Sequence, residues 1–128
     1  MFRDTQAFSS FSTDNIDAAR EFYGRKLGLN VREEAMGTLD VALAGGGHVS
    51  IYPKPNHEPA TFTVLNFIVD DIDKVVDDLT AAGIRMERYD DVPDIQQDAK
   101  GIARDERGPA IAWFNDPAGN TIAVLQLP

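Results

Sequence analysis

The 128-residue chain holds two histidines, one tryptophan, three tyrosines and no cysteine, and these few residues bound the chemistry it can perform. Without cysteine there is no disulfide, no thiolate nucleophile and no Cys-based zinc site. His48 directly follows Gly45-Gly46-Gly47 and stands two residues before Ser50, on the same face of one strand. There it is either a substitute metal ligand or general base, or a partly exposed strand-end histidine. His57, between Asn56 and Glu58 in a proline-bounded stretch, is expected to face solvent. Ser50 lacks an elbow motif, so no Ser-His-Asp arrangement is read. The glycine run opens no helix and is therefore a turn, not a phosphate cradle. Lys100, Arg104 and Arg107 can clamp an anionic group, or can be neutralised by Asp98, Asp105 and Glu106.

Charge limits the partners. Twelve Lys and Arg against 21 Asp and Glu give a net charge of −9, which excludes the basic stripe that nucleic acid requires. Residues 70–91 alone carry eight Asp or Glu and three Lys or Arg. That run either attracts a cationic ligand or is a solvated helix face. No stretch approaches the ~18 consecutive apolar residues of a membrane span. The opening Met1-Phe2-Arg3-Asp4-Thr5-Gln6 lacks the apolar core of a secretory signal. The expectation is one cytoplasmic domain covering residues 1–128, with no nucleic-acid or membrane partner.

The elements that must position these residues show an internal echo. Phe11-Ser12-Thr13-Asp14-Asn15-Ile16-Asp17 returns 56 residues later as Phe67-Ile68-Val69-Asp70-Asp71-Ile72-Asp73. Each copy follows a strand-like run and opens an amphipathic helix, with Ile16, Ala19, Phe22, Tyr23 and Leu27 on one apolar face and Ile72, Val75, Val76, Leu79 and Ala82 on the other. Asp14 and Asp70 are expected to cap the two helices, Asp17 and Asp73 to add charge in the first turns, and Gly28 and Gly83 to close them. Strands are expected at 29–36, 38–44 and 48–52, then at 84–89, 110–115 and 121–127, with Asp116–Asn120 a turn of conformational role. The segment 90–109 reads as a long loop. Each half is thus β-α-β-β-β: a first module of about 5–53, a linker at 54–60 and a second module of about 61–128.

Ile16-Asp17-Ala18-Ala19-Arg20-Glu21-Phe22-Tyr23 with Leu27-Gly28-Leu29, together with Gly108 and Trp113-Phe114-Asn115-Asp116-Pro117-Ala118-Gly119-Asn120, resemble the vicinal oxygen chelate superfamily. That superfamily includes glyoxalase I, extradiol dioxygenases and bleomycin-resistance proteins. The resemblance implies an α+β fold of two βαβββ modules, eight strands and two principal helices. It further implies a local pseudo-twofold, curved sheets around a shared cavity, and a homodimer. It also implies a metal site at four positions where the family's enzymes carry His, Glu or Gln. Here those positions hold Phe8, Ser50, Val64 and Ala123, and their neighbours supply no alternative set of donors. No metal and no cofactor are therefore expected.

Strand alternation turns Phe8, Ser10 and Ser12 inward, with His48, Ser50 and Tyr52, and in the second half Val64, Asn66 and Ile68. Leu65, Phe67 and Val69 face the second helix instead. Trp113 and Leu125 are expected on the opposite wall, although Trp113 fits the core equally. The space so lined is a mostly apolar small-molecule pocket, or a packed interior. The residues expected to touch a ligand are Phe8, Ser10, His48, Ser50, Tyr52, Val64, Asn66, Arg104, Trp113 and Ala123, with no catalytic residue assigned. The expected function is metal-free binding, sequestration or carriage of an apolar or aromatic small molecule. The alternative is a lyase, isomerase or dioxygenase with an atypical site.

Overall fold

Two helices begin on the same device. Asn15 and Asp71 sit in extended backbone (φ −147° and −139°), and their side chains accept from the N–H of Ala18 and Lys74, at 3.0 and 3.1 Å. The caps therefore stand one residue later than the expected Asp14 and Asp70. The cap is set by which side chain reaches the free amide three residues ahead, and only Asn15 and Asp71 do. The 56-residue offset survives, because Asn15 and Asp71 are themselves equivalent positions.

The computed structural model describes residues 1–128 as two units, Met1–Pro59 and Ala60–Pro128. The first contains β1 (Ser9–Thr13), α1 (Ile16–Arg20), β2 (Asn30–Glu33), β3 (Leu39–Ala42) and β4 (His48–Pro53). Its sheet runs β1-β4-β3-β2, with β1 parallel to β4 and the remaining pairs antiparallel. Phe11, Leu39, Val41, Val49 and Ile51 are buried on one sheet face; Ala19, Phe22 and Tyr23 are buried on the helix, and Phe11 and Tyr23 meet ring to ring at 5.9 Å. Alternation on the strands and three-four spacing on the helix thus meet in one core.

The first helix departs from the expected single α-helix through Leu27. After Arg20 it widens into a π-helix over Glu21–Lys26, and the Leu27 N–H bonds the Phe22 carbonyl at 2.9 Å. Gly28 then closes it at φ 73°. The strand expected at 29–36 ends at Glu33, because Ala35–Gly37 forms a 3-10 turn with Met36 at φ 64°.

The second unit contains β5 (Thr63–Ile68), α2 (Ile72–Ala81), β6 (Ala110–Asn115) and β7 (Thr121–Gln126). Its sheet runs β5-β7-β6, β5 parallel to β7 and β6 antiparallel to it. Ile72, Val76 and Leu79 of α2 are buried, as are Ala112, Phe114, Ile122 and Val124 of the sheet. The order of connections repeats that of the first unit, and the fold is α+β.

The chain has seven strands, not eight. The backbone of residues 84–89 pairs with β6 through an isolated bridge, Met86 to Phe114, and the Glu87 N–H bonded to the Trp113 carbonyl at 2.8 Å. The Gln97 side chain takes the place of further ladder. Its Nε2 donates to the carbonyls of Glu87 and Gly101 at 2.9 and 2.8 Å, and its Oε1 accepts from the Tyr89 N–H at 2.6 Å. One amide satisfies both polarities of backbone group, so the segment is held without a strand partner. The loop behind it is correspondingly ordered. Asp98 accepts from the N–H groups of Lys100 and Ile102, and Ile102 is fully buried.

Candidate functional site

In the first unit, the sheet face away from α1 gathers the polar residues. Ser10 pairs with Ser50, Ser12 with Tyr52, Asp40 with Ser50 and Ala42 with His48. Residues Gln6, Ala7 and Phe8 before β1, Glu34 and Thr38 between β2 and β3, and Asp40, His48 and Ser50 line a cleft of about 780 Å³. Phe8, Ser50 and His48 thus line one cleft. Phe8 is 70% exposed at the rim.

The sequence reading missed Asp40. Its carboxylate oxygens lie 3.1 and 3.0 Å from His48 Nδ1. The signal was present in the hairpin: the glycine turn sets partners whose numbers sum to 90, 40 with 50 and 42 with 48. Asp40 therefore falls diagonally across from His48 on the same face. Glu34, also on the cleft, accepts from Arg32 Nη2 at 3.3 Å.

His57 does not stand free in solvent. Its Nδ1 lies 2.6 Å from Ser12 Oγ, and the ring is half-buried. A turn places it there, its backbone N–H bonding the Lys54 carbonyl while the Lys54 N–H bonds Thr13. Both histidines of the chain are therefore held by polar side chains of the first unit.

In the second unit, Asn66 and Trp113 both pair with Ala123, and Ile68 and Ile111 both pair with Leu125. The register shifts between Thr63 and Leu65, leaving Val64 in a bulge without a partner on β7. A bulge adds one unpaired residue to one strand, and from Leu65 to Ile68 the register with β7 is regular again. Trp113 packs its ring on the edge of Tyr89 at 5.3 Å and 84°, and burial pushes the Tyr89 hydroxyl's pKa up, with the Glu87 charge adding to it. Trp113, Ile111, Ile95 and Pro109 form the apolar side of a cleft of about 440 Å³, and Arg104 and Asp105 form its polar side. Arg104, expected as an anion clamp, already donates to both oxygens of Asp73.

No group of three or more His, Cys, Asp or Glu side chains converges to hold a metal ion. Of Phe8, Ser50, Val64 and Ala123, the positions expected from the resemblance to face a metal, only Ser50 has a side-chain donor, and it is a weak one. These residues do not fit a divalent cation. No helix is long and apolar enough to cross a membrane.

Residues 9–124 match the Glyoxalase/Bleomycin resistance protein/Dioxygenase superfamily, and the chain belongs to it. Solved structures share its fold. The glyoxalase family protein from Enterococcus faecalis aligns with a TM-score of 0.69 at 24% identity, over 98% of this chain and 99% of that one. TnmS3, an antibiotic binding protein from Streptomyces sp. CB03234, aligns with 0.69 at 20% identity, over 98% of each chain. Lactoylglutathione lyase from Agrobacterium tumefaciens aligns with 0.68 at 20% identity, over 97% and 95%. No curated protein sequence matches the chain.

Proposed function

We propose that the chain is a small-molecule-binding member of this superfamily that takes an apolar or aromatic ligand without a catalytic divalent metal. One observation carries the reading: Phe8, Ser50, Val64 and Ala123, the positions to which the family resemblance assigns a metal, offer no set of donors. Placing an ion beside such side chains without compensating donors costs several kcal/mol, whereas the same side chains favour an apolar guest. An open sheet face with a few polar groups (Ser10, Ser50, Tyr52 and His48) has the composition of a ligand site. That an antibiotic binding protein shares the fold is consistent with this reading, and that a lyase does too makes the metal test decisive.

Elemental analysis of the purified protein is expected to find no stoichiometric Zn, Ni, Fe or Mn. A stoichiometric metal, with an activity lost on chelation and restored on its return, overturns the proposal. Trp113 is the only tryptophan, and a screen of aromatic small molecules is expected to find one that changes its fluorescence and raises the melting temperature. We further propose a homodimer, since β1 and β5 are sheet edges within their own units and such edges favour pairing. Light scattering at micromolar concentration tests it, and a monomeric mass refutes it.

A further inference from the structure

We propose that the Asp40–His48 pair is a proton-accepting site, and that the cleft of the first unit takes a neutral aromatic acid of the phenol or enol class and holds it as the anion. The inference rests on the small-molecule reading and adds to it a ligand class and a proton acceptor.

The argument begins at the ring nitrogens. A carboxylate only accepts hydrogen bonds, and both oxygens of Asp40 lie within 3.1 Å of His48 Nδ1. In the neutral ring the hydrogen is therefore assigned to Nδ1, which leaves the lone pair on Nε2. Nε2 makes no hydrogen bond within the chain, and the side chain is half exposed on the cleft. Asp40 is the more enclosed of the pair, at 26% exposure against 50%, and so orients the ring from behind. A bound ligand hydroxyl that meets Nε2 loses its proton there. The O–H bond breaks, its electron pair stays on the ligand oxygen, and the imidazolium formed is held by Asp40. No further reactant is needed.

The rest of the cleft selects the class. The charged groups facing it are Asp40 and Glu34, both acidic. A ligand already anionic in solution is repelled by them, whereas a weak acid enters neutral and ionises only against His48. The Phe8 ring and Ala7 methyl give an aromatic body something to pack on. Ser50, cross-strand from Asp40 and on the face of His48, offers the ligand oxygen a second donor. His48 is the proposed base, and Asp40 a positioning residue acting through it.

The test uses the full chain and two probes: 4-nitrophenol, whose ionised form alone absorbs strongly in the visible, and 4-nitroanisole, the same body without the O–H. At a pH where the free phenol is mostly neutral, bound 4-nitrophenol is expected to show the phenolate band. It is also expected to bind about tenfold or more tightly than the anisole, the scale of a hydrogen bond to a charged group. His48→Gln is expected to bind both probes alike with no phenolate band. Asp40→Asn is expected to retain binding, lower the phenolate fraction and lose the Nδ1–H tautomer in the ¹⁵N-histidine spectrum. A phenol bound in its neutral form, a phenolate band that persists in His48→Gln, or an anisole that binds as well as the phenol overturns the proton-accepting role and leaves the small-molecule reading standing. Failure of both probes to bind the folded protein overturns the assignment of this cleft to phenols and leaves the small-molecule reading to the fluorescence screen.

Discussion

Arg104 donates from Nη2 to both carboxylate oxygens of Asp73, at 2.9 and 2.8 Å, and its Nε lies 3.5 Å from Asp98. Lys100 adds Asp77 at 3.0 Å. The loop behind α2 is thus tied to the helix's first two turns by charge. The Arg104 hydrogen bond, with Lys100 assisting, holds the Asp73 carboxyl below its ordinary value, and the same pair raises Arg104.

A depressed aspartate contributes stability that is present above its unfolded pKa and lost as pH falls through the folded one. Asp73→Asn is therefore expected to lower the melting temperature at neutral pH and to lose that difference in acid, below the ordinary carboxylate range. Both partners are exposed, so added salt is expected to shrink the effect. A melting series of both proteins against pH and salt checks it.

The helix caps separate two adjacent aspartates. Asp71→Ala is expected to cost about 1 kcal/mol, the worth of an N-cap side chain. Asp70→Ala, one residue earlier and outside the cap, is expected to stay within about 0.5 kcal/mol. Urea unfolding of the two variants distinguishes them.

Asp116 is buried in the β6–β7 turn, where its Oδ1 accepts from the N–H groups of Ala118 and Asn120 at 2.9 and 2.8 Å and its Oδ2 from Asn120 Nδ2 at 3.1 Å. Asp116→Ala strands those donors and is expected to cost about 2–3 kcal/mol. Asp116→Asn, which keeps one acceptor, is expected to lose less. Equilibrium denaturation measures both.

Gln97→Ala is expected to cost about 2 kcal/mol, because it strands two carbonyls and one N–H at once. The Tyr89 amide is expected to exchange faster with solvent, while amides in the β6–β7 ladder away from this segment hold. Hydrogen exchange read residue by residue tests the assignment of Gln97 as the stand-in for a strand.

The open faces of both sheets were legible because strands obey period two wherever one side is buried. Ser10, Ser50 and Tyr52 alternate with Phe11, Val49 and Ile51, so one set predicts the other. At Val64 a bulge leaves the residue without a strand partner, and nothing in the local residue types announces it. The missing eighth strand escaped for another reason: residues 84–89 have strand-like composition, yet a side chain 10 residues from Glu87 outcompetes a neighbouring strand for its backbone. Long-range hydrogen bonding of that kind leaves no periodic trace. Asp40 lay between these cases, readable once the hairpin was counted and invisible to any search for local motifs.

The π-helical segment Glu21–Lys26 bears on the common origin of the two units. The offset between them is 56 at the caps, Asn15 to Asp71, but 55 at the closing glycines, Gly28 to Gly83. The first helix is thus one residue longer between its cap and its closing glycine, and its π-helical turns accommodate the difference. The neighbours Phe22 and Tyr23 are both buried there, their rings meeting edge to face at 5.1 Å and 83°, a pairing with no counterpart on α2. If the units descend from one ancestral half, their difference in length is a single-codon event fixed in the core. The halves are then no longer interchangeable: a chimera with α2 grafted into the first unit would arrive one residue short and without the aromatic pair that fills the space beneath it.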